Sequence, residues 1–297
     1  MNILITGAHG QVGRELTSQG NRPGLRMWPT DIDDLDITDE TGVTAFIRQK
    51  QIALVANGAA YTAVDRAEKE SALAWRINCD GPAVLARACA SAGVPLVHIS
   101  TDYVYDGLKT SPYNENDPVA PSGVYGKSKA AGDQAVQRCL PQHIILRTAW
   151  LYSAHGQNFV KTMLRLARER DTLQVVDDQF GCPTSAADLA QAVLAIARQI
   201  ETGRVTAWGI YHYCGAGQTT WYKFAQTIFA MAAQYERLAL KTLHPISSAE
   251  YPTAAQRPPY SVLDCTKIGQ HFGIVPAPWQ ASLAQTIAQL YGNNRRI

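Results

Sequence analysis

Asn2-Ile3-Leu4-Ile5-Thr6-Gly7-Ala8-His9-Gly10-Gln11-Val12-Gly13 opens the chain with a short apolar run that meets glycine directly. Such a run predicts a buried strand, and Gln11 to Gln19 reads as the helix after it. Gly7-x-x-Gly10-x-x-Gly13 differs by one residue from the commoner G-x-G-x-x-G. The physics is shared, because glycines permit the tight turn and let a pyrophosphate lie against a helix N-terminus. A glycine-rich turn without a ligand would carry the same residues, so residues further along the chain must decide between the two.

After the first helix, Leu25 to Trp28 predicts a second strand that ends before Asp31. A carboxylate there can accept from the hydroxyls of an adenosine ribose. The same charge disfavours a pocket dedicated to a 2′-phosphate, although His9 and Arg14 stand near enough in sequence to offset it. Asp33, Asp34 and Asp36 crowd the segment, so an ordinary loop acid is the competing reading of Asp31. Asp39-Glu40 opens a helix whose inner face carries Val43, Phe46 and Ile47. Ala53 to Ala56 is a third strand, followed by the small residues Asn57-Gly58-Ala59-Ala60, where a backbone can approach a dinucleotide closely. A long helix is expected within Glu68 to Ala92, stopped by Gly93-Val94-Pro95. Leu96 to Ile99 and Ile144 to Leu146 give strands four and five. Strands alternating with helices predict an α/β fold, a Rossmann-like doubly wound parallel sheet covered on both faces.

Beyond residue 150 the regularity weakens. Helices are expected near Asn158 to Arg168, Ala186 to Arg198, Trp221 to Ala233, Thr266 to Phe272 and Gln280 to Leu290. Strands are expected at Leu173 to Val176 and Gly209 to Cys214, with proline-rich joints between the last helices. The expected division is a dinucleotide-binding domain over 1–150, with 171–215 returning to it. A smaller lobe for substrate would then take 151–170 and 216–297.

Composition narrows the function class. At 297 residues, with 46% hydrophobic and 18% charged, the chain has ample core for an ordinary globular enzyme. A net charge of +2 gives no electrostatic reason to expect nucleic acid as a partner. No apolar run reaches membrane-spanning length, and no signal peptide is expected. The six cysteines form no C-x-x-C pair and the seven histidines no ligand spacing, so reduced thiols, a cytoplasmic setting and no metal are expected.

The chemistry is carried by Ser100-Thr101-Asp102-Tyr103 at the end of strand four and by Tyr125-Gly126-Lys127-Ser128-Lys129 on the helix beyond it. A tyrosine four residues before a lysine shares one helix face with it. An ammonium beside a phenol favours the phenolate and is expected to lower the Tyr125 pKa from about 10 toward working pH. Such a phenol can protonate an alkoxide as hydride reaches a ketone. Thr101, at the carboxyl edge of the sheet, can hold the same oxygen beside a nicotinamide. Lys129 would bind the nicotinamide ribose.

These motifs together resemble those of the extended short-chain dehydrogenases. With Ala60-Tyr61-Thr62-Ala63-Val64-Asp65-x-Ala67-Glu68, Ser100 to Gly107, Val124 to Lys129, Arg147-Thr148-Ala149-Trp150, Asp178-Gln179-Phe180-Gly181-Cys182-Pro183-Thr184 and Arg257-Pro258, the chain is more narrowly similar to the dTDP-4-dehydrorhamnose reductases. The resemblance covers nearly the whole chain. It implies reduction by NADPH or NADH of the C4 ketone of dTDP-4-dehydro-6-deoxy-L-mannose, giving dTDP-L-rhamnose. Thr101, Tyr125 and Lys129 would be catalytic. Coenzyme contacts would fall on Gly7, Gly10, Gln11, Val12, Gly13, Asp31, Asp36, Ile37, Ala59, Ala60 and Tyr61, with Tyr125 and Lys129. Substrate contacts would fall on Val64, Thr101, Asp102, Trp150 and Arg257, the last against the diphosphate.

Some relatives dimerise through magnesium held by glutamates. Glu15 fits, but alanine stands where the second carboxylate would be in Ser185-Ala186-Ala187-Asp188, so no metal is expected and a homodimer is left open. A dehydratase would carry glutamate after Asp102, where this chain has Tyr103. A sister nucleotide-sugar 4-ketoreductase, a 4-epimerase with a retained cofactor and a non-catalytic dinucleotide-binding subunit are the remaining alternatives.

Overall fold

The structure, a computed structural model, describes residues 1–205 and 207–293. Strand β1 (Asn2–Thr6) runs through the glycine turn into α1 (Gln11–Gln19); β2 (Arg26–Thr30), α2 (Glu40–Gln49) and β3 (Leu54–Asn57) follow. Short helices α3 (Val64–Ala67) and α4 (Ser71–Trp75) precede a π-helical turn at Arg76–Asp80 and helix α5 (Gly81–Ala92). Then come β4 (Leu96–Thr101), α6 (Val124–Cys139) and β5 (His143–Thr148). The next group is β6 (Leu151–Tyr152), α7 (Phe159–Glu169), β7 (Thr172–Val176), β8 (Phe180–Gly181) and β9 (Thr184–Ser185). Helix α8 (Ala186–Glu201) and β10 (Gly209–His212) precede β11 (Thr219–Thr220), α9 (Trp221–Ala232), β12 (Thr242–Ile246), α10 (Thr266–Phe272) and α11 (Trp279–Asn293).

Six strands form one sheet in the order β10-β5-β4-β3-β1-β2, and every pair is parallel. From β1 the chain steps outward to β2, then returns to β3 on the opposite side of β1. The carboxyl ends of β1 and β3 therefore border the crevice where open α/β sheets take ligands. Strand alternation sorts the core into two layers. Ile3 and Ile5 pack with Val12 and Leu16 of α1 and Leu189 and Val193 of α8. Leu4 packs on the other face with Val43 and Ile47 of α2, Leu85 of α5 and Val136 of α6.

The second lobe has its own core, with Val160 and Leu164 of α7 against Phe224 and Ile228 of α9 and Leu283 and Ile287 of α11. Three small two-stranded pairings edge it, β7 with β12, β8 with β11 and β6 with β9. The stretch 171–215 consequently divides. Helix α8 and β10 rejoin the large sheet, whereas β7, β8 and β9 pair with strands of the lobe.

The long helix expected over 68–92 is instead broken. Glu68 lies before α4 and accepts from the Val124 N–H at the start of α6. The π turn then inserts one extra residue per turn and rotates Asn78 fully inward. There Asn78 accepts from the Tyr61 N–H at 2.8 Å and donates to Tyr61 O at 3.0 Å and to Ser128 Oγ at 3.1 Å. Period alone does not reveal such a bulge, because its partners are 17 and 50 residues away.

Helix α6 lies unusually close to its neighbours. A Cβ at Gly126 would stand 2.2 Å from Tyr103 O, and one at Gly132 would stand 2.1 Å from Asn78 O. Neither obstacle is a flexible side chain. Gly132→Ala should therefore push α6 off the π turn and destabilise the fold by about 1–3 kcal/mol despite the better helix propensity of alanine, read as a lower denaturant midpoint.

Candidate active site

The glycine turn is built by close packing. Gly7 has φ +70°, and a Cβ there would meet Ala59 N at 2.6 Å; a Cβ at Gly13 would meet Gly7 O at 2.2 Å. Both glycines let the β1 turn, the β3 loop and α1 interlock. Gly10 is the N-cap of α1 and no side chain caps that end. The first amides of α1, from Gln11, Val12 and Gly13, are thus available to an anion, as a dinucleotide pyrophosphate requires. The Gln11 side chain points elsewhere, its Oε1 accepting from Ser153 Oγ at 3.1 Å and Asn158 Nδ2 at 3.0 Å. It ties the turn to the loop that enters the second lobe.

Asp31 stands just past β2, and its Oδ2 accepts from the His9 N–H at 2.8 Å. The carboxylate is therefore held across the glycine turn rather than left loose. Asp36 is engaged differently. It accepts from the Thr38 N–H and hydroxyl and pairs with Arg76 at 3.0 Å, and these bonds hold its carboxyl below the usual range. Ile37 is buried under Gly81. Ala59, Ala60 and Tyr61 line the loop after β3, with the Tyr61 hydroxyl donating to Glu70 at 2.6 Å.

Thr101, Tyr125 and Lys129 converge at the carboxyl end of β4. Thr101 acts on the Tyr125 phenol, whose ring meets the Tyr103 ring edge-on at 5.4 Å. Lys129 is 2% exposed and donates to Ile99 O at 2.8 Å. The expected lowering of the Tyr125 pKa is not found. Burial of its hydroxyl pushes it up, since the phenolate loses hydration, and nearby Asp102 adds to the rise. The Lys129 ammonium does not offset this, being turned onto the strand carbonyl. Burial also lowers Lys129 to about 8, with Asp133 acting in the opposite sense.

The residues expected to meet substrate surround this edge. Asp102 is buried, its Oδ1 accepting from the Thr101 hydroxyl at 2.9 Å while Oδ2 has no partner. Trp150 has φ +48°, a strained setting for a bulky residue. Its ring stacks on Trp221 at 3.5 Å, and Gly181 lies so close that a Cβ there would reach the indole at 2.2 Å. Arg257 is not free, because it pairs with Asp65 at 2.8 Å and donates to Tyr103 OH at 3.3 Å. That bridge joins the 252–260 segment to α3, whose first residue is Val64. Glu15 faces inward, 3.7 Å from His155, and among the described residues no cluster of three or more ligating side chains could hold a metal.

The family described as RmlD substrate binding domain matches residues 1–291. A dTDP-4-dehydrorhamnose reductase of Sinorhizobium fredii is 43% identical over 288 residues, 97% of each chain. Among solved structures, a dTDP-4-dehydrorhamnose reductase of Clostridium acetobutylicum superposes with TM-score 0.91 at 42% identity, covering 98% of this chain and 99% of that one. One from Bacillus anthracis, in complex with NADP, superposes with TM-score 0.88 at 38% identity, covering 97% and 99%. The chain belongs to the dTDP-4-dehydrorhamnose reductase family.

In this member of the dTDP-4-dehydrorhamnose reductases, several site-building residues escaped the motif reading. Asn78 clamps the Tyr61 loop to α6. Asn57, His98, Asp133 and Arg147, all buried, run beneath Lys129. Asn57 and Arg147 stand in motifs quoted above with no role assigned to them, whereas Asn78, His98 and Asp133 look like isolated polar residues that only their partners reveal. Asp102 gives a test of the site's electrostatics. Burial pushes its carboxyl up to about 6, and the Thr101 hydroxyl only partly offsets that. A raised folded pKa means the folded state holds the proton more tightly, so stability falls as pH rises from about 4 to about 6. Asp102→Asn should abolish this component. The stability of wild type relative to the variant should drop across that window by up to roughly 3 kcal/mol, measured by urea unfolding at each pH.

Proposed function

We infer that the chain catalyses NAD(P)H-dependent reduction of the C4 ketone of dTDP-4-dehydro-6-deoxy-L-mannose to dTDP-L-rhamnose. The observation that carries this reading is the meeting of Thr101, Tyr125 and Lys129 at the end of β4, across the crevice from an uncapped α1. Identity of about 40% over nearly full length to reductases supports it. The rival sugar-nucleotide epimerase and the non-catalytic subunit lack comparable support.

The coenzyme, when bound, supplies hydride to C4. The amides of Gln11, Val12 and Gly13 would hold its pyrophosphate, Asp31 its adenosine ribose, and the Ala59-Ala60-Tyr61 backbone would flank it. The large sheet thus serves the coenzyme, and the lobe of α7, α9 and α11 serves the sugar nucleotide. Thr101 would turn its hydroxyl from Asp102 Oδ1 to donate to the C4 oxygen and hold the ketone in place. Tyr125 gives that oxygen its proton as the alkoxide forms. Its raised pKa suits this direction, since the phenol enters the step protonated and an alkoxide is far more basic. Lys129 would hold the nicotinamide ribose by swinging its ammonium from the Ile99 carbonyl. Asp102, with one carboxylate oxygen free of protein partners, can accept from a sugar hydroxyl. Trp150 offers the sugar ring an apolar face. Arg257 reaches the diphosphate while sharing its charge with Asp65. Binding of the remote nucleotide positions the ketone. The six free thiols agree with a cytoplasmic setting.

Tyr125→Phe keeps the ring and removes the proton donor. In an assay that follows NADPH loss with the dTDP-ketosugar generated by a 3,5-epimerase, kcat should fall about 10²–10⁴-fold. The KM for NADPH should change little, and near-normal turnover would remove Tyr125 from the mechanism. Asp31→Ala should weaken NADH more than NADPH in fluorescence titrations, because it deletes a ribose acceptor and also a repulsion toward a 2′-phosphate. Equal losses would make Asp31 a turn-building acid only.

A further inference from the structure

Beneath the catalytic edge lies a line of buried polar groups that the proposed reaction leaves unexplained. The Thr6 hydroxyl and the Ala59 N–H both donate to Asn57 Oδ1, at 2.6 and 3.1 Å. The amide orientation of Asn57 is thereby assigned, and its Nδ2 donates to His98 Nδ1 at 2.8 Å. His98 is fully buried, and burial together with Lys129 holds it neutral. With Nδ1 accepting, the ring proton sits on Nε2. That N–H faces Lys129 Nζ at 3.5 Å and Asp133 Oδ1 at 3.8 Å.

Asp133 is 1% exposed and follows Lys129 by one helical turn, on the same face of α6. Its Oδ2 accepts from Arg147 Nε at 3.1 Å, while Oδ1 has no hydrogen-bond partner. Arg147 continues the line to Tyr105 OH at 2.8 Å, and Tyr105 meets His212 Nε2 at 2.7 Å. Two buried cations therefore share one carboxylate. Arg147 bonds it directly, and Lys129 is separated from it by the His98 N–H. An ammonium in such a place loses its proton readily unless a negative charge remains close.

We propose that Asp133 is a positioning residue for the reduction, supplying the negative charge that keeps buried Lys129 protonated, with His98 spacing the two so that they do not close into an ion pair. The proposal rests on the reductase reading and on Lys129 working as a cation. The groups facing Lys129 are His98 and the Ile99 carbonyl from β4, Asp133 from α6, and Arg147 from β5 through Asp133, with Tyr125 one turn earlier on α6. The His143 ring adds to the field at His98. Asp133 is the one carboxylate among them. Deleting its charge must lower the Lys129 pKa, so the ammonium is lost at lower pH and the alkaline limb of kcat moves down.

The test has a readout independent of turnover. In enzyme labelled with ¹⁵N-lysine, the Lys129 resonance, assigned by its loss in Lys129→Met, should titrate in Asp133→Asn about 1–3 pH units below wild type. Asp133→Glu should stay close to wild type. The kcat profile of Asp133→Asn should shift its alkaline limb by the same interval, with activity recovering on acidification and the KM for the sugar nucleotide little changed. Because Asp133→Asn leaves Arg147 unpaired, Asp133→Asn/Arg147→Met should show the same Lys129 shift without the stranded guanidinium. A Lys129 titration unmoved in both variants, or activity lowered equally at every pH, would overturn the proposal. A wild type that oxidises no NADPH with the dTDP-ketosugar would overturn the reductase reading instead, and the resonance shift would still report on Asp133.

Discussion

Helix α6 can carry Tyr125 and Lys129 to the end of β4 only because it comes within backbone contact of two other segments. Gly126 rests against the Tyr103 carbonyl and Gly132 against the Asn78 carbonyl of the π turn. These contacts set how deep the helix sits, and that depth buries Lys129 and brings the Tyr125 ring against Tyr103. The same approach makes the π turn necessary, since a regular helix there would not turn Asn78 inward to join α6 to the Tyr61 loop. The Tyr61 loop and α6 are thus mechanically one unit.

That depth has an electrostatic consequence. Burial raises Tyr125 and lowers Lys129, so both groups move toward their neutral forms. A neutral phenol is suited to give a proton, and a lysine near neutrality is sensitive to whatever charge lies next to it. The buried carboxylate of Asp133 answers that sensitivity from the next helical turn, and its sharing with Arg147 spreads the charge across β4 and β5. Polar groups here are stitched across four strands, from Thr6 on β1 through Asn57 and His98 to Arg147, which gives the sheet a rigid floor under the site.

Where the second lobe meets the large sheet, strain and stacking do comparable work. Trp150 holds a left-handed backbone conformation, and its ring lies on Trp221 and over Gly181. Three separate chain segments must be in place before the indole can adopt this pose. Arg257 and Asp65 make a further bridge, from the late loop to α3, so the lobe closes on the sheet through specific contacts.

Local order was legible in the residues. The apolar runs marked the strands of the large sheet and β7 but not β6, β8, β9, β11 or β12; glycine spacing marked the turn after β1, and the i, i+4 spacing of Tyr125 and Lys129 marked their shared face; α1 and α10 begin and end where periodicity put them. These features depend on neighbours within a few residues, and a linear reading contains them. Packing between distant segments settled the rest. The pairing of β7 with β12, the π turn at Arg76–Asp80, the orientation of Lys129 onto Ile99 and the rise of the Tyr125 pKa all arise from partners far apart in the chain. An ionisable group takes its proton affinity from its desolvation and its surrounding charges, and those exist only once the helices have packed.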